Sequence, residues 1–175
     1  MAELDFRKAI IPDEIDALCE FDSRSFADHP ADIFSKDDWK KYESYWMIVD
    51  GKKAGCAAFD ETNRDELWVA STAILPEYRR QGLGRRFKRW QIDYAKSHGF
   101  ARLGTVMRPS NTAINELNKE FGFKLRKMRP KLYSDPPEDG IEMELLLPDP
   151  VCPECGKPLR TRRSKQCRFC GADWH

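Results

Sequence analysis

Two sets of residues in this 175-residue chain have the types and spacing to do chemistry. The first is "YRRQGLGRRF", residues 78–87, where two glycines sit among arginines between an apolar strand-like run and a helix-like one. Gly82 and Gly84 let backbone N–H groups approach a ligand with no Cβ in the way. A helix starting there would aim the positive end of its dipole at the same point. Arg79, Arg80, Arg85 and Arg86 add mobile positive charge, and the natural guest is a diphosphate. A plain turn with a solvated basic helix face is the other reading. The glycine spacing fits neither the dinucleotide-binding GxGxxG turn nor the phosphate loop that ends in Lys-Ser or Lys-Thr. The second set is Cys152, Cys155, Cys167 and Cys170, spaced C-x2-C-x11-C-x2-C. Four thiolates in two pairs suit one tetrahedral Zn²⁺ with a structural role. A redox pair or an iron site is the alternative. Gly156 and Gly171 follow the two pairs and permit tight turns whose N–H groups point at sulfur. Cys19 and Cys56 lie outside this set and read as buried free thiols.

The elements that must position these residues follow from periodicity. Residues 4–10 alternate as a first strand. "IPDEIDALCEF" reads as a helix with Pro12 near its start and Ile15, Leu18 and Cys19 on one face. "SKDDWKKY" reads as a short helix capped by Ser35. "YWMIVDGKKAGCAAF" is a hairpin about Asp50-Gly51, a pair that tolerates positive φ. Residues 67–75 form a long apolar strand, expected to be central. The helix after the glycines places Leu83, Phe87, Trp90 and Tyr94 on one stripe and ends at His98-Gly99. "ARLGTVM" is the next strand, Asn111 caps a helix to about Glu120, "FGF" opens another strand, and residues 141–147 form the last. The order β-α-α-β-β-β-α-β-α-β-β is a mixed α/β fold, a central sheet flanked by helices. Trp39, Trp46, Trp68 and Trp90 are read as core or pocket wall. "PDPVCP", 148–153, breaks the pattern, so the expected domains are 4–148 and a small metal-held one at 149–175.

In context, "AILPEYRRQGLG" resembles motif A of the GNAT superfamily of acyl-CoA-dependent N-acyltransferases. Residues 79–84 fit every fixed position of its Q/R-x-x-G-x-G/A loop. "NTAINELNKEFGF", 111–123, resembles the family's later helix, with its leading Asn and closing Gly-Phe. The cysteine tail resembles a zinc ribbon. The resemblance covers about residues 4–148. It implies a GNAT-like sheet and acetyl-CoA as cosubstrate. The backbone of Ala73, Ile74 and Leu75 would hold the pantetheine and polarise the thioester. Arg79, Arg80 and the N–H groups of Gln81, Gly82, Leu83, Gly84 and Arg85 would hold the diphosphate, with Asn111 on the CoA arm. The reaction would be direct attack of a primary amine on the thioester.

The resemblance also marks departures. The glutamate that some relatives use as base corresponds here to Trp68, and Glu66, two residues earlier on the same strand face, is the candidate in its place. The tyrosine expected seven residues after Asn111 is Asn118, which donates a hydrogen bond but has no proton to release near neutral pH. Tyr133 is the candidate substitute acid. His29, in the early acidic loop, is read as an exposed side chain before a catalytic one.

Composition bounds partners. With 41% hydrophobic and 34% charged residues the chain is globular, and its net charge of +1 announces no polyanion or membrane binder. Charge is uneven, though. Residues 13–43 hold ten carboxylates and four basic residues, while residues 151–175 hold six basic and two acidic ones. The acidic region suggests a solvated face or a rim for a cationic acceptor, such as a basic peptide, a polyamine or an aminoglycoside. The basic "RTRRSK", 161–166, suggests contact with nucleic acid or an acidic protein, or a solvated loop. No secretory h-region or membrane span is read, so the expected setting is cytoplasmic. Two functions are carried forward: an N-acetyltransferase with a docking ribbon, and a zinc-ribbon adaptor with a CoA-sensing or degenerate transferase domain.

Overall fold

The computed structural model describes residues 3–159 and 163–173. Its elements run β1 (Leu4–Lys8), α1 (Ile15–Ser25), α2 (Lys36–Trp39), β2 (Glu43–Val49), β3 (Lys52–Asp60), β4 (Glu66–Ile74), α3 (Leu83–Ser97), β5 (Arg102–Met107), α4 (Thr112–Glu120), β6 (Lys124–Ser134) and β7 (Pro137–Leu146). This is the order the periodicity predicts. Short 3-10 turns at Pro30–Asp32 and Pro76–Tyr78 interrupt the loops. Seven strands form one sheet in the order β1-β2-β3-β4-β5-β7-β6, with β4 at its centre.

Local chemistry accounts for the boundaries. Asp50 and Gly51 take the positive φ values, 47° and 75°, that close the β2–β3 hairpin. Ser35 caps α2 with a full capping box to Asp38. The α3 stripe buries Leu83 and Phe87 and packs Trp90 and Tyr94 against the same core. Each face of the sheet has its own core. One packs α3 onto Met47, Phe59, Leu67, Val69 and Leu103. The other packs α1 and α2 onto Trp46, Cys56, Ala58 and Ala73. Adjacent residues such as Trp46 and Met47 fall in different cores, as the two-residue period of a strand requires.

One pair of strands differs from the rest. β4 and β5 are parallel; every other neighbouring pair is antiparallel. Their rungs run only from Glu66↔Arg102 to Val69↔Thr105, although β4 continues to Ile74 and β5 to Met107. Thr105 Oγ1 donates to the Val69 carbonyl at 3.2 Å beside the last rung. Beyond it the strands part, and a cleft opens at their C-terminal ends.

The free end of β4 is held from its other side. Leu75 N–H donates to the Ala54 carbonyl at 3.1 Å, and Gly55 pairs with Ile74. A Cβ at Gly55 would lie 2.8 Å from Met47 Cε and 2.9 Å from the Ala73 carbonyl. The backbone contact can be relieved only by spreading β3 from β4. Gly55→Ala is therefore expected to lower unfolding free energy by about 1–3 kcal/mol, the usual range for overpacking, as read by urea titration.

Candidate active site and metal centre

At the cleft, Gly82 adopts φ 74° as the N-cap of α3 and needs no Cβ to do so. A Cβ on Gly84 would sit 3.8 Å from Leu117 of α4 and 3.9 Å from Ile74 of β4, so the start of α3 lies between these two elements. The first N–H groups of any helix lack an intrahelical partner. Among the described residues, nothing accepts a hydrogen bond from the backbone N–H groups of residues 80–85. The loop thus presents a run of open donors, backed by the α3 dipole and by the exposed side chains of Arg80 and Arg86.

Several candidate residues are spent differently from the expectation. Arg79 does not present a free guanidinium. Its Nε donates to the Ile74 carbonyl at 2.9 Å and its NH2 to the Ser25 carbonyl at 2.6 Å, tying the end of β4 to the end of α1. Arg85 pairs with Glu120 at the end of α4. The Leu75 N–H is committed to β3, and by the alternation of strand hydrogen bonds the polar groups of Ala73 turn the same way. Of the three β4 residues, Ile74 is the one whose backbone faces the cleft. Asn111 caps α4 through its side chain, accepting from Ile114 N–H at 3.3 Å. Asn118 is fully buried, and its Nδ2 donates to Met107 Sδ at 3.7 Å.

Glu66 stands apart from the cleft. It sits in the first rung of β4, about 25 Å of strand from Ile74 at ~3.3 Å per residue. It pairs with Arg126 at 2.7 Å and lines a cavity with Trp68, Arg129 and Glu142. Gly104 opposite keeps that space, since a Cβ there would lie 2.5 Å from the Trp68 ring. The two-residue period places Glu66 on the strand face of Trp68, at a depth where β4 and β5 are still paired.

The acceptor side of the cleft carries residues that sequence reasoning missed. Arg108, just beyond β5, is 4% exposed. Its Nε and NH2 grip the Asp32 carboxylate at 2.7 and 2.8 Å. It also donates to the Pro136 and Asp135 carbonyls at 2.8 and 3.0 Å and lies 3.6 Å from Glu138. Its guanidinium stacks 4.2 Å from the Tyr133 ring centre. Burial, with the Asp32 charge adding, pushes the Tyr133 hydroxyl up to about 12, so it holds its proton throughout the neutral range. Arg108 thus clasps the Pro30–Asp32 turn to the β6–β7 hairpin and places Tyr133 at the β5 end of the cleft.

Beneath the same loop, Asp22 of α1 is fully buried. One carboxylate oxygen accepts from Phe34 N–H at 2.8 Å; the other has no partner among the described residues. His29 Nδ1 is likewise buried and unpartnered, so this histidine is not the exposed side chain expected. Contacts between residues 12 to 76 positions apart left no local pattern that could have revealed Asp22 or Arg108.

The four cysteines converge. Their Sγ atoms all lie within 4.8 Å of one another, and Cys152–Cys170 and Cys155–Cys167 are each 3.7 Å apart. A tetrahedron with Zn–S bonds of about 2.3 Å has edges of about 3.8 Å, so the donor set fits that ion and is consistent with a zinc ribbon. The two turns repeat each other. Gly156 and Gly171, at φ 68° and 76°, donate to the Cys152 and Cys167 carbonyls at 2.9 Å each. Phe169 N–H points at Cys167 Sγ at 3.4 Å.

Residues 13–123, which include β4, the Gly82 loop and α3, match the sequence model of the acetyltransferase (GNAT) family. The chain belongs to the GNAT family. It is 30% identical over 118 residues to the ribosomal protein bS18-alanine N-acetyltransferase of Escherichia coli strain K12, covering 67% of this chain and 78% of that relative. The crystal structure of the ribosomal-protein-S18-alanine N-acetyltransferase from Escherichia coli superposes with a TM-score of 0.70 at 27% identity, over 83% of this chain and 94% of that one. A GNAT family acetyltransferase from Elizabethkingia anophelis with acetyl-CoA bound shares the fold, with a TM-score of 0.64 at 17% identity over 82% and 98% of the two chains. This GNAT chain is an N-acetyltransferase. The adaptor reading of its N-terminal part gives way to that assignment. Among the described residues no helix is long and apolar enough to cross a membrane.

The buried carboxyl of Asp22 yields a pH prediction for this GNAT fold. Burial, with a smaller push from the Asp32 charge and against the Phe34 bond that lowers it, raises it to about 6. An acid raised above its unfolded value binds its proton more tightly in the native state. Stability from this group is therefore present below about pH 4 and lost as pH rises through about 6. The loss amounts to at most about 3 kcal/mol at 1.36 kcal/mol per unit. Urea unfolding from about pH 4 to about pH 7 should show this fall in the native chain and its absence in Asp22→Asn. Equal slopes in both chains would remove the assignment.

Proposed function

We propose that this chain moves an acetyl group from acetyl-CoA to a protein N-terminal α-amine by direct attack. The observation that carries the cosubstrate is the run of unpartnered N–H groups at the start of α3, facing a cleft between parted strands. Acetyl-CoA supplies an activated acyl group. The amides of Gln81–Arg85 bind its diphosphate, with Arg80 contributing charge, and the Ile74 N–H orients the thioester from the free end of β4. Asn111 and Arg79 act through structure, one by capping α4 and one by fixing β4 to α1.

Support for a protein α-amine comes from the named activity of the relative that is 30% identical. The chemistry agrees. An α-amine with pKa near 7.7–8.0 is roughly a tenth neutral at pH 7, whereas a lysine amine is about one part in a thousand. An α-amine makes smaller demands on a general base, and Trp68 and Glu66 offer none at the cleft. Tyr133, with its proton retained and Arg108 against its ring, is our candidate to protonate the leaving thiolate. The early acidic region remains a proposed attraction for basic acceptor segments.

We further propose residues 4–148 as the transferase domain and 149–175 as a ribbon held by one structural Zn²⁺ through Cys152, Cys155, Cys167 and Cys170. A reducing, cytoplasmic setting would keep those thiols free to bind metal. The ribbon serves to dock the substrate or its assembly.

Calorimetry with acetyl-CoA tests the cradle. Gly82→Glu sets a carboxylate and a strained positive φ at the N-cap, and should weaken binding about 10- to 100-fold, the worth of one or two charge-assisted hydrogen bonds. Undiminished affinity would move the diphosphate elsewhere. A peptide panel with mass readout should show acetylation at the N-terminus and not at lysine side chains. Chelation of the metal should abolish hydrogen-exchange protection in residues 151–173 and leave acetyl-CoA affinity within about two-fold, because about 25 residues cannot bury a self-sufficient core.

A further inference from the structure

The ribbon displays an exposed aromatic ring between two cations. Phe169 is 46% exposed at the tip of the second cysteine turn. Its own N–H is bound to Cys167 Sγ, so the metal centre fixes its backbone. Two cations bracket the ring, one from each turn: Lys157 Nζ 5.0 Å and the Arg168 guanidinium 4.7 Å from its centre. Among the described residues no carboxylate pairs with Lys157, Lys165 or Arg168. Elsewhere among the described residues many basic residues are drawn into ion pairs, from Arg7–Glu14 to Arg129–Glu142, and those of the Gly82 loop, Arg80 and Arg86, are not. An exposed ring held against cations that lack counter-charges is matched by a partner that is both flat and anionic.

We propose that the Phe169 face of the ribbon binds a single-stranded polynucleotide. A base stacks on the ring, and Lys157, Arg168 and Lys165 take the flanking phosphates. The two cations now resting on the ring are the ones a base would displace, and the phosphates on either side of that base are where they would go. Aromatic stacking bracketed by cations is the general chemistry of single-strand binding. A duplex keeps its bases stacked on each other and offers the ring no face. An acidic peptide would engage the cations and leave the ring unused. The charge supports a short contact and no more: four thiolates with Zn²⁺ contribute −2, against the six basic and two acidic residues of 151–175.

The inference rests on the metal-loaded ribbon and not on acetyl transfer, so the two stand or fall separately. Fluorescence anisotropy of the full zinc-loaded chain with a labelled single strand of about a dozen nucleotides is the test. Three phosphate contacts predict a log-affinity against log-salt slope near −2, at roughly 0.7 per contact on a single strand. Phe169→Ala should weaken binding about 5- to 150-fold, the worth of one stacked base. Metal content and acetyl-CoA affinity should stay unchanged. Lys157→Ala should flatten the salt slope by about 0.7. RNA and DNA of the same sequence distinguish the source of the strand, and either one binding in this way supports the proposal. An unchanged affinity in zinc-loaded Phe169→Ala, equal binding of duplex and single strand, or full competition by a polyglutamate peptide would each overturn it.

Discussion

β4 and β5 share four parallel rungs and then separate, and the site follows from that short pairing. Parallel neighbours cannot be joined by a tight turn; the chain must cross over and return. Here α3 makes the crossing, so its N-terminus has to open at the C-terminal end of β4, where the strands part. The open helix donors and the gap between strands are therefore two results of one connection. The Leu75–Ala54 bond and the Gly55↔Ile74 rung keep the end of β4 with β3, while β5 departs beyond the Thr105–Val69 bond. The Ile74 backbone is left facing the cleft, and Arg79 holds it there by its carbonyl. The Arg79 guanidinium, beside the open donors of the Gly82 loop, thus acts as a strut.

The β5 end of the candidate cleft is built by the opposite strategy. The Gly82 loop leaves donors open, whereas Arg108 satisfies its donors with the carboxylate of Asp32 and the carbonyls of residues 135 and 136. A nearly buried guanidinium is tolerable only when its charge and hydrogen bonds are met, and breaking such a pair costs several kcal/mol. That cost is what makes the clasp specific: the Pro30–Asp32 turn and the β6–β7 hairpin have one low-energy relation to each other. Asp22 adds a weaker control from below. It holds Phe34 with one oxygen and carries the penalty of the other, so the loop above it is anchored by a group that prefers to be neutral.

What the sequence disclosed tracks the range of the interactions. The Asp50-Gly51 hairpin, the Ser35 cap, the α3 stripe and the Gly82 turn are local, and each follows from neighbours within a few positions. The four cysteines were equally legible because metal geometry translates spacing into distance. Depth and pairing were not. Glu66 and Ile74 lie on one strand, but only the register with β5 reveals that the strands are still joined at Glu66. Asn111 caps α4 as its position at the helix start suggested. Arg79 looked like a ligand because composition counts charges and not the carbonyls within their reach. Asp32 and Arg108, 76 positions apart, meet only once the sheet has formed.

The two parts of the chain meet the problem of charge by different means. A folded sheet places carboxylates from distant strands beside its cations, as Glu142 does for Arg126, Lys127 and Arg129. A ribbon of two repeated turns has no such reach, for its strands are single bridges, Val151↔Pro158 and Gln166↔Asp173. Its centre is the cysteine cluster, and among its described residues Val151 and Phe169 stay exposed. Four thiolates concentrate negative charge there, half of which a Zn²⁺ would offset. Among the described residues, Lys157, Lys165 and Arg168 are left without a carboxylate partner. A surface of that kind gains most from a partner that brings phosphates and a planar face together.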